Sequence, residues 1–141
     1  MVKHKNNFGK TKSVNVLKDA ELRPTRQRVI LVSNIFKYGN RHINAESLHK
    51  EILGSGEQVS LATVYNTLHH LTNVGLLRQV KVNSSQNYFD TNTTAHHHFY
   101  DESNNSLIDI SQDKIKVQGI PKPPESKKIS EVEVIISIKN I

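Results

Sequence analysis

The sequence predicts an α+β chain: a winged helix-turn-helix domain over residues 13–90, then a small α/β domain over residues 96–141. Three observations carry this. Apolar residues recur at helical spacing through the first half, ending in SLATVYNTLHHLTNVGLL at 60–77. Two short strand-like segments follow that stretch directly, as a hairpin would. Past a polar hinge at 91–95 strand-like segments take over, with a break at Pro121, Pro123 and Pro124.

Residues 1–12 are basic and aperiodic and read as a flexible arm. A short helix is predicted over 13–20, with Val14 and Leu17 inward. Thr25, after Pro24, suits the N-cap of the next helix. Val29, Val32, Ile35 and Phe36 form that helix's stripe, and Gly39 ends it. Arg26 and Arg28 stand in its first turn, where cations oppose the helix dipole. An arriving phosphate would offset that cost; two solvated arginines account for them as well. His42 lies in the linker to a third helix at 44–53, capped by Asn44 and buried through Ala45, Leu48 and Ile52. After a turn at 54–56, Ser60 caps the fourth helix. Leu61, Val64, Leu68 and Leu71 give its apolar stripe, and Gly75 is placed as its C-terminal stop. Ala62, Tyr65, Asn66, His69 and Asn73 share the opposite face, which has no acidic residue. Such a surface suits the major groove, where Asn reads adenine and apolar or aromatic groups touch the thymine methyl. An ordinary amphipathic helix with a solvated face would show the same pattern. Short helices with a tight turn before the last are the helix-turn-helix arrangement. Strands at 76–82 and 87–90 around a turn at 83–86 supply the wing.

The second domain should hold strands at 96–100 and 106–110, a helix at 111–119 and a strand at 131–138, with Val132, Val134, Ile136 and Ile138 on one face. These strands are too few to close a core. A second copy is expected to cover them, which makes 96–141 a dimerisation and regulatory domain; a helix-turn-helix reader of palindromic sites also needs a homodimer.

Charge is segregated. Of a formal +6, residues 1–90 carry 13 Lys/Arg against 6 Asp/Glu, and residues 91–141 carry 6 against 7. A basic first part joined to a near-neutral second part fits a polyanion-binding module. The chain has no cysteine, which excludes disulfides, thiolate zinc sites and thiol catalysis. No apolar run reaches membrane-spanning length, and the basic N-terminus lacks the apolar core of a secretory signal, so a cytoplasmic protein without membrane contact is expected. GxGxxG, P-loop and nucleophile-elbow patterns are absent, as is any nucleophile–base pair; an enzyme is not expected.

His96, His97 and His98 are adjacent. On a strand His97 faces one way and its neighbours the other, so one tripeptide can feed two sites. Imidazole is the commonest transition-metal ligand and also binds haem iron. A solvated strand end would account for the triplet too.

LRPTRQR, RHINAESLHKE, SLATVYNTLHHLTNVGLL and YFDTNTTAHHHFY, in that order and spacing, resemble the ferric uptake regulator superfamily from about Leu17 to Ile110. RPTRQR, VSLATVYNTL, GLLRQV, YFDTN and HHH followed by two aromatics are most similar to its iron response regulator branch. The resemblance implies a dimeric DNA-binding regulator of iron status, with Tyr65 at a base-contacting position and the helix bearing Arg26 and Arg28 on the backbone. It maps a hinge metal site onto His42, Asp90, His97 and Asp109, drawn from both domains. It associates His96, His97 and His98 with haem, whose binding weakens DNA binding. Two features depart from the wider family. Phe99 stands where many members have another histidine, and the cysteine-ligated structural zinc site is missing. Both departures are as expected for that branch; the cysteine-containing haem motif that some of its members carry near the N-terminus is also absent.

The expectation is therefore a repressor-like transcriptional regulator that binds A/T-rich palindromic operators as a dimer and lets go when haem binds. Thr63, Tyr65 and Asn66 are the base-side candidates, Arg26, Arg28 and Lys81 the phosphate candidates, and an oxygen-rich hinge site would suit Mn²⁺ or Fe²⁺. The alternatives are a Mn²⁺- or Fe²⁺-responsive member of the same family without haem control, and a haem- or metal-binding carrier whose winged helix does not bind DNA.

Overall fold

The computed structural model describes residues 8–83 and 87–141. Two compact units divide between Thr93 and Thr94. Residues 1–7 of the expected arm and residues 84–86 of the expected wing turn lie outside the described residues.

In the first unit, α1 (Lys10–Asp19) begins three residues before the predicted start. The Gly9 carbonyl accepts from both the Ser13 amide and the Ser13 hydroxyl, which closes the extra turn. α2 (Arg26–Phe36) is capped by Thr25, whose hydroxyl accepts from the Arg28 amide. α3 (Ala45–Gly54) is capped by Asn44 through the Ser47 amide, and α4 (Leu61–Asn73) by Ser60 through the Thr63 amide. Each cap satisfies a donor that the helix start leaves without an internal partner. Gly75, at φ +83°, turns the chain after α4 in the left-handed region that a side chain would resist. β1 (His42–Ile43), β2 (Arg78–Lys81) and β3 (Asn87–Asp90) form an antiparallel sheet with β3 in the middle. Asp90, the last residue of β3, has His42 opposite it on one side and Arg78 on the other.

Leu17, Leu31, Val32, Ile35, Leu48, Ile52, Val64, Leu68 and Leu71 are fully buried in one core, with Phe89 of β3 among them. Leu61 departs from the predicted stripe. Ser60, Leu61 and Ala62 are all exposed, so the first turn of α4 stands clear of the core; Thr67 is buried instead. Leu68→Ala should destabilise the chain by about 2–5 kcal/mol through lost transfer energy and a residual cavity. Urea denaturation checks this, and a change under about 1 kcal/mol would contradict the packing.

The second unit is a sheet of β4 (His96–Asp101), β5 (Ser106–Ser111) and β6 (Ile135–Ile138), with β4 central. β5 runs antiparallel to β4 and β6 parallel to it. The predicted helix at 111–119 is only a 3₁₀ turn at Gln112–Lys114. Ile115 and Val117 are spaced by two residues, which suits extended chain, and Gly119 sits at φ +74° just before the prolines. The last strand is shorter than expected, although the Val134 carbonyl already accepts from the His98 amide. Phe99 pairs with Ile108 and with Ile136, giving one apolar row across the sheet, and Ile108 and Ile136 remain 46% and 38% exposed. Among the described residues no helix is long and apolar enough to cross a membrane.

Candidate nucleic-acid face and candidate metal donors

α4 buries Val64, Thr67, Leu68 and Leu71 and leaves Ala62, Tyr65, Asn66, His69 and Asn73 exposed. The face has helical period, so packing of the leucines dictates which side chains point out. Tyr65 is 37% exposed. Its hydroxyl donates to Glu46 Oε1 of α3, and its ring stacks on His69 at 6.5 Å and 14°. His69 in turn meets the edge of Phe89 at 5.5 Å. The carboxylate raises the Tyr65 phenol above its usual value, first by accepting its proton in a hydrogen bond, then with burial and the negative charge nearby. The contact therefore holds at neutral pH and is lost only in alkali, as pH rises through that raised value.

The cations predicted to meet phosphate have protein partners. Arg26 forms an exposed ion pair with Glu57 at 3.2 Å, and Arg28 donates to the Arg23 carbonyl at 3.0 Å. An exposed pair of this kind contributes little and exchanges readily. Lys81 is exposed on β2. Thr63 accepts a hydrogen bond from the Ser60 hydroxyl at 2.8 Å. Arg28, Thr63, Asn66 and His70 border one recess of about 170 Å³ beside Leu22. Base-side and phosphate-side candidates thus adjoin on the first unit.

Each unit also carries a group of metal-type donors. In the first, His42 Nε2 lies 3.2 Å from Asp90 Oδ2, and that carboxylate is 1% exposed. Its other oxygen accepts from the Asn92 amide at 2.9 Å. Arg41, one residue before His42, grips Glu51 through both guanidinium arms at 3.2 and 2.7 Å, and its backbone is tied to Thr91. The pair is therefore held by α3 and by the residue after Asp90.

In the second unit, His96 Nε2 and His98 Nε2 each lie 3.2 Å from Asp109 Oδ1. The register explains it: His98 pairs with Asp109 across β4 and β5, and His96 is two residues away on the same face. His96 Nδ1 is 2.6 Å from the Thr94 carbonyl, and His98 Nδ1 is 2.9 Å from Glu133 Oε1. A carbonyl only accepts, so His96 Nδ1 donates to Thr94, and Glu133 accepts from His98 Nδ1 in the same way. Both rings therefore turn Nε2 toward the same carboxylate oxygen, and the three atoms form a donor set that a cation could share. These ligand atoms lie within 4.8 Å of one another, and no cysteine competes as donor. The residues present fit a divalent transition metal.

His97 lies on the opposite face, in register with Ile110, and its Nδ1 accepts from the Val134 amide at 2.9 Å. Of the predicted hinge set, then, His42 meets Asp90, while Asp109 meets His96 and His98 rather than His97. Alternation alone separated His97 from its neighbours, but only the register says which face Asp109 shares. Two further residues had no signal in the sequence. Glu46 is the partner of Tyr65, and Glu133, 35 residues beyond His98, orients that ring.

A model of the ferric uptake regulator family matches residues 19–136. The ferric uptake regulation protein of Vibrio parahaemolyticus is 31% identical over 101 residues, covering 71% of this chain and 68% of its own length. Its counterpart in Escherichia coli K12 is 28% identical over 109 residues, 77% of this chain and 74% of that protein. The crystal structure of the Vibrio cholerae ferric uptake regulator matches with a TM-score of 0.68 at 21% identity, over 90% of this chain and 98% of that one. The Pseudomonas aeruginosa ferric uptake regulator with manganese gives 0.66 at 21% identity, over 91% and 97%. At such identity the structural likeness speaks for the fold.

Proposed function

The chain belongs to the ferric uptake regulator family, and we propose that it is a metal-responsive transcriptional regulator that binds A/T-rich palindromic DNA as a homodimer. The observation that carries the metal response is the convergence of His96 Nε2 and His98 Nε2 on one oxygen of Asp109. His42 and Asp90 end the first unit's sheet, and only residues 91–95 separate Asp90 from His96. A divalent ion held by His96, His98 and Asp109 would order the end of the dimerising unit that adjoins this short link. When bound, the ion supplies positive charge and a fixed coordination angle; the protein's own residues do the rest. The resident ion of first choice is Mn²⁺ or Fe²⁺, given imidazole and carboxylate donors and no thiolate. A relative's structure carrying manganese is in keeping with this.

The first unit then acts as a winged helix, with β2 and β3 as the wing and α4 in the major groove. Tyr65, Asn66 and Thr63 face bases; Arg28, Arg26 and Lys81 meet phosphates once Arg26 exchanges Glu57 for DNA. The apolar row Phe99, Ile108 and Ile136 belongs to the dimer contact, where a second copy would cover it. Such a protein regulates and does not catalyse.

Haem control is the second reading, favoured by the run of three imidazoles. All three are buried, so an iron ligand there would have to displace Asp109, Glu133 or the Val134 amide. One assay separates the readings: a gel shift on a duplex selected from a random pool, with Mn²⁺, with chelator, or with haem. Mn²⁺ should tighten binding by about 5- to 150-fold, the usual range of allosteric coupling, with haem inert. Release by haem with no response to Mn²⁺ or chelator would instead establish the haem reading. Failure to prefer any sequence under every condition would point to a carrier that does not bind DNA.

A further inference from the structure

We infer that Glu46 is a positioning residue for Tyr65, holding the phenol in its DNA-reading pose before DNA arrives. The inference rests on the reading that Tyr65 meets base edges. Glu46 lies in the first turn of α3, where the helix dipole favours a carboxylate. It reaches across to α4 and accepts the Tyr65 hydroxyl proton. From the other side the His69 ring stacks on Tyr65 and is itself braced against the edge of buried Phe89. The tyrosine is thus held at both ends, by an acceptor at its hydroxyl and by a ring against its body. An exposed aromatic side chain on a helix would otherwise have to give up rotamer freedom on binding.

Glu46 also brings a negative charge close to a face that must meet a polyanion. Removing that charge alone would strengthen binding to every duplex alike. A positioning role makes a different prediction, because only the selected site uses the Tyr65 pose. The informative quantity is the ratio of affinities for selected and random duplexes.

The test uses the full chain and five variants. Glu46→Ala should lower that ratio by about threefold to tenfold, the usual cost of ordering a side chain on binding. Random-duplex affinity should be unchanged or slightly tighter. Glu46→Gln, which keeps an oxygen acceptor, should restore most of the ratio. Tyr65→Phe should lower the ratio, and adding Glu46→Ala to it should lower it no further, since Glu46 acts through the hydroxyl. Carbon-13 NMR of the tyrosine ring should show the Tyr65 phenol titrating at lower pH in Glu46→Ala than in the native chain. The inference is overturned if Glu46→Ala leaves the ratio unchanged, or lowers it as much in the Tyr65→Phe background as in the native one. A Tyr65→Ala protein that keeps full selectivity would overturn the underlying reading instead.

Discussion

Tyr65→Ala should bind a selected operator little better than a random duplex. A good base contact discriminates by about 1–3 kcal/mol. Taking about 1–2 kcal/mol for each half-site and two half-sites in a symmetric dimer, the selectivity ratio should fall by roughly 30- to 1,000-fold. The salt-dependent affinity for any duplex should survive, because Arg26, Arg28 and Lys81 are untouched. Lys81→Ala gives the opposite signature: weaker binding to all sequences, with a salt slope shallower by about 1 per site, and selectivity intact. Gel shifts over a salt series measure both. The fold should tolerate the change, since Tyr65 lies on the exposed face of α4 and adds nothing to the core beneath it. Full selectivity in the alanine variant would move the reading face elsewhere.

What could be read from residues alone follows the strength of their periodicity. Ser60, Asn44 and Thr25 were placed as caps because a polar residue before an apolar period has one good use, and all three accept from a first-turn amide. The exposed face of α4 followed from 3.6-residue spacing in the same way. Leu61 was misplaced because a period gives the direction of a side chain and not how far the core extends along the helix. The segment 111–119 departs from the predicted helix because Ile115 and Val117 have a two-residue spacing, which suits extended chain. The donor groups were half legible. Alternation split the histidine triplet correctly, but Asp109's side depends on the β4–β5 register, and that is set by where the hairpin closes, at Asp101 and Ser106. Glu46 and Glu133 could not be found at all. Each meets its partner only through tertiary packing, and neither sits in a pattern that marks it.

That register gives a sharp test of which imidazoles hold the ion. Asp109→Asn and His98→Ala should each weaken Mn²⁺ binding by about 100-fold or more, because the first exchanges an anionic carboxylate donor for a neutral amide and the second removes a donor outright, and outer partners alone are worth about 10- to 100-fold. His97→Ala should stay within a few-fold of native, since its ring lies on the other face and its partner is the Val134 amide. Isothermal titration of the full chain with Mn²⁺ measures all three. Asp109→Asn is the cleaner probe: its side chain is 47% exposed, so the change leaves no buried gap, whereas His98→Ala empties a fully buried position between Asp109 and Glu133. His97→Ala is expected to cost stability of about 0.5–1.5 kcal/mol for the lost hydrogen bond, without cost to the ion. If His97→Ala lost as much Mn²⁺ affinity as His98→Ala, the ion would have to lie on the opposite face of β4, away from Asp109. The Mn²⁺-dependent tightening on DNA should then fail in the same variants that lose the ion and persist in those that keep it. Coupling that tracked His97 rather than Asp109 would detach the response from the two-imidazole, one-carboxylate donor group.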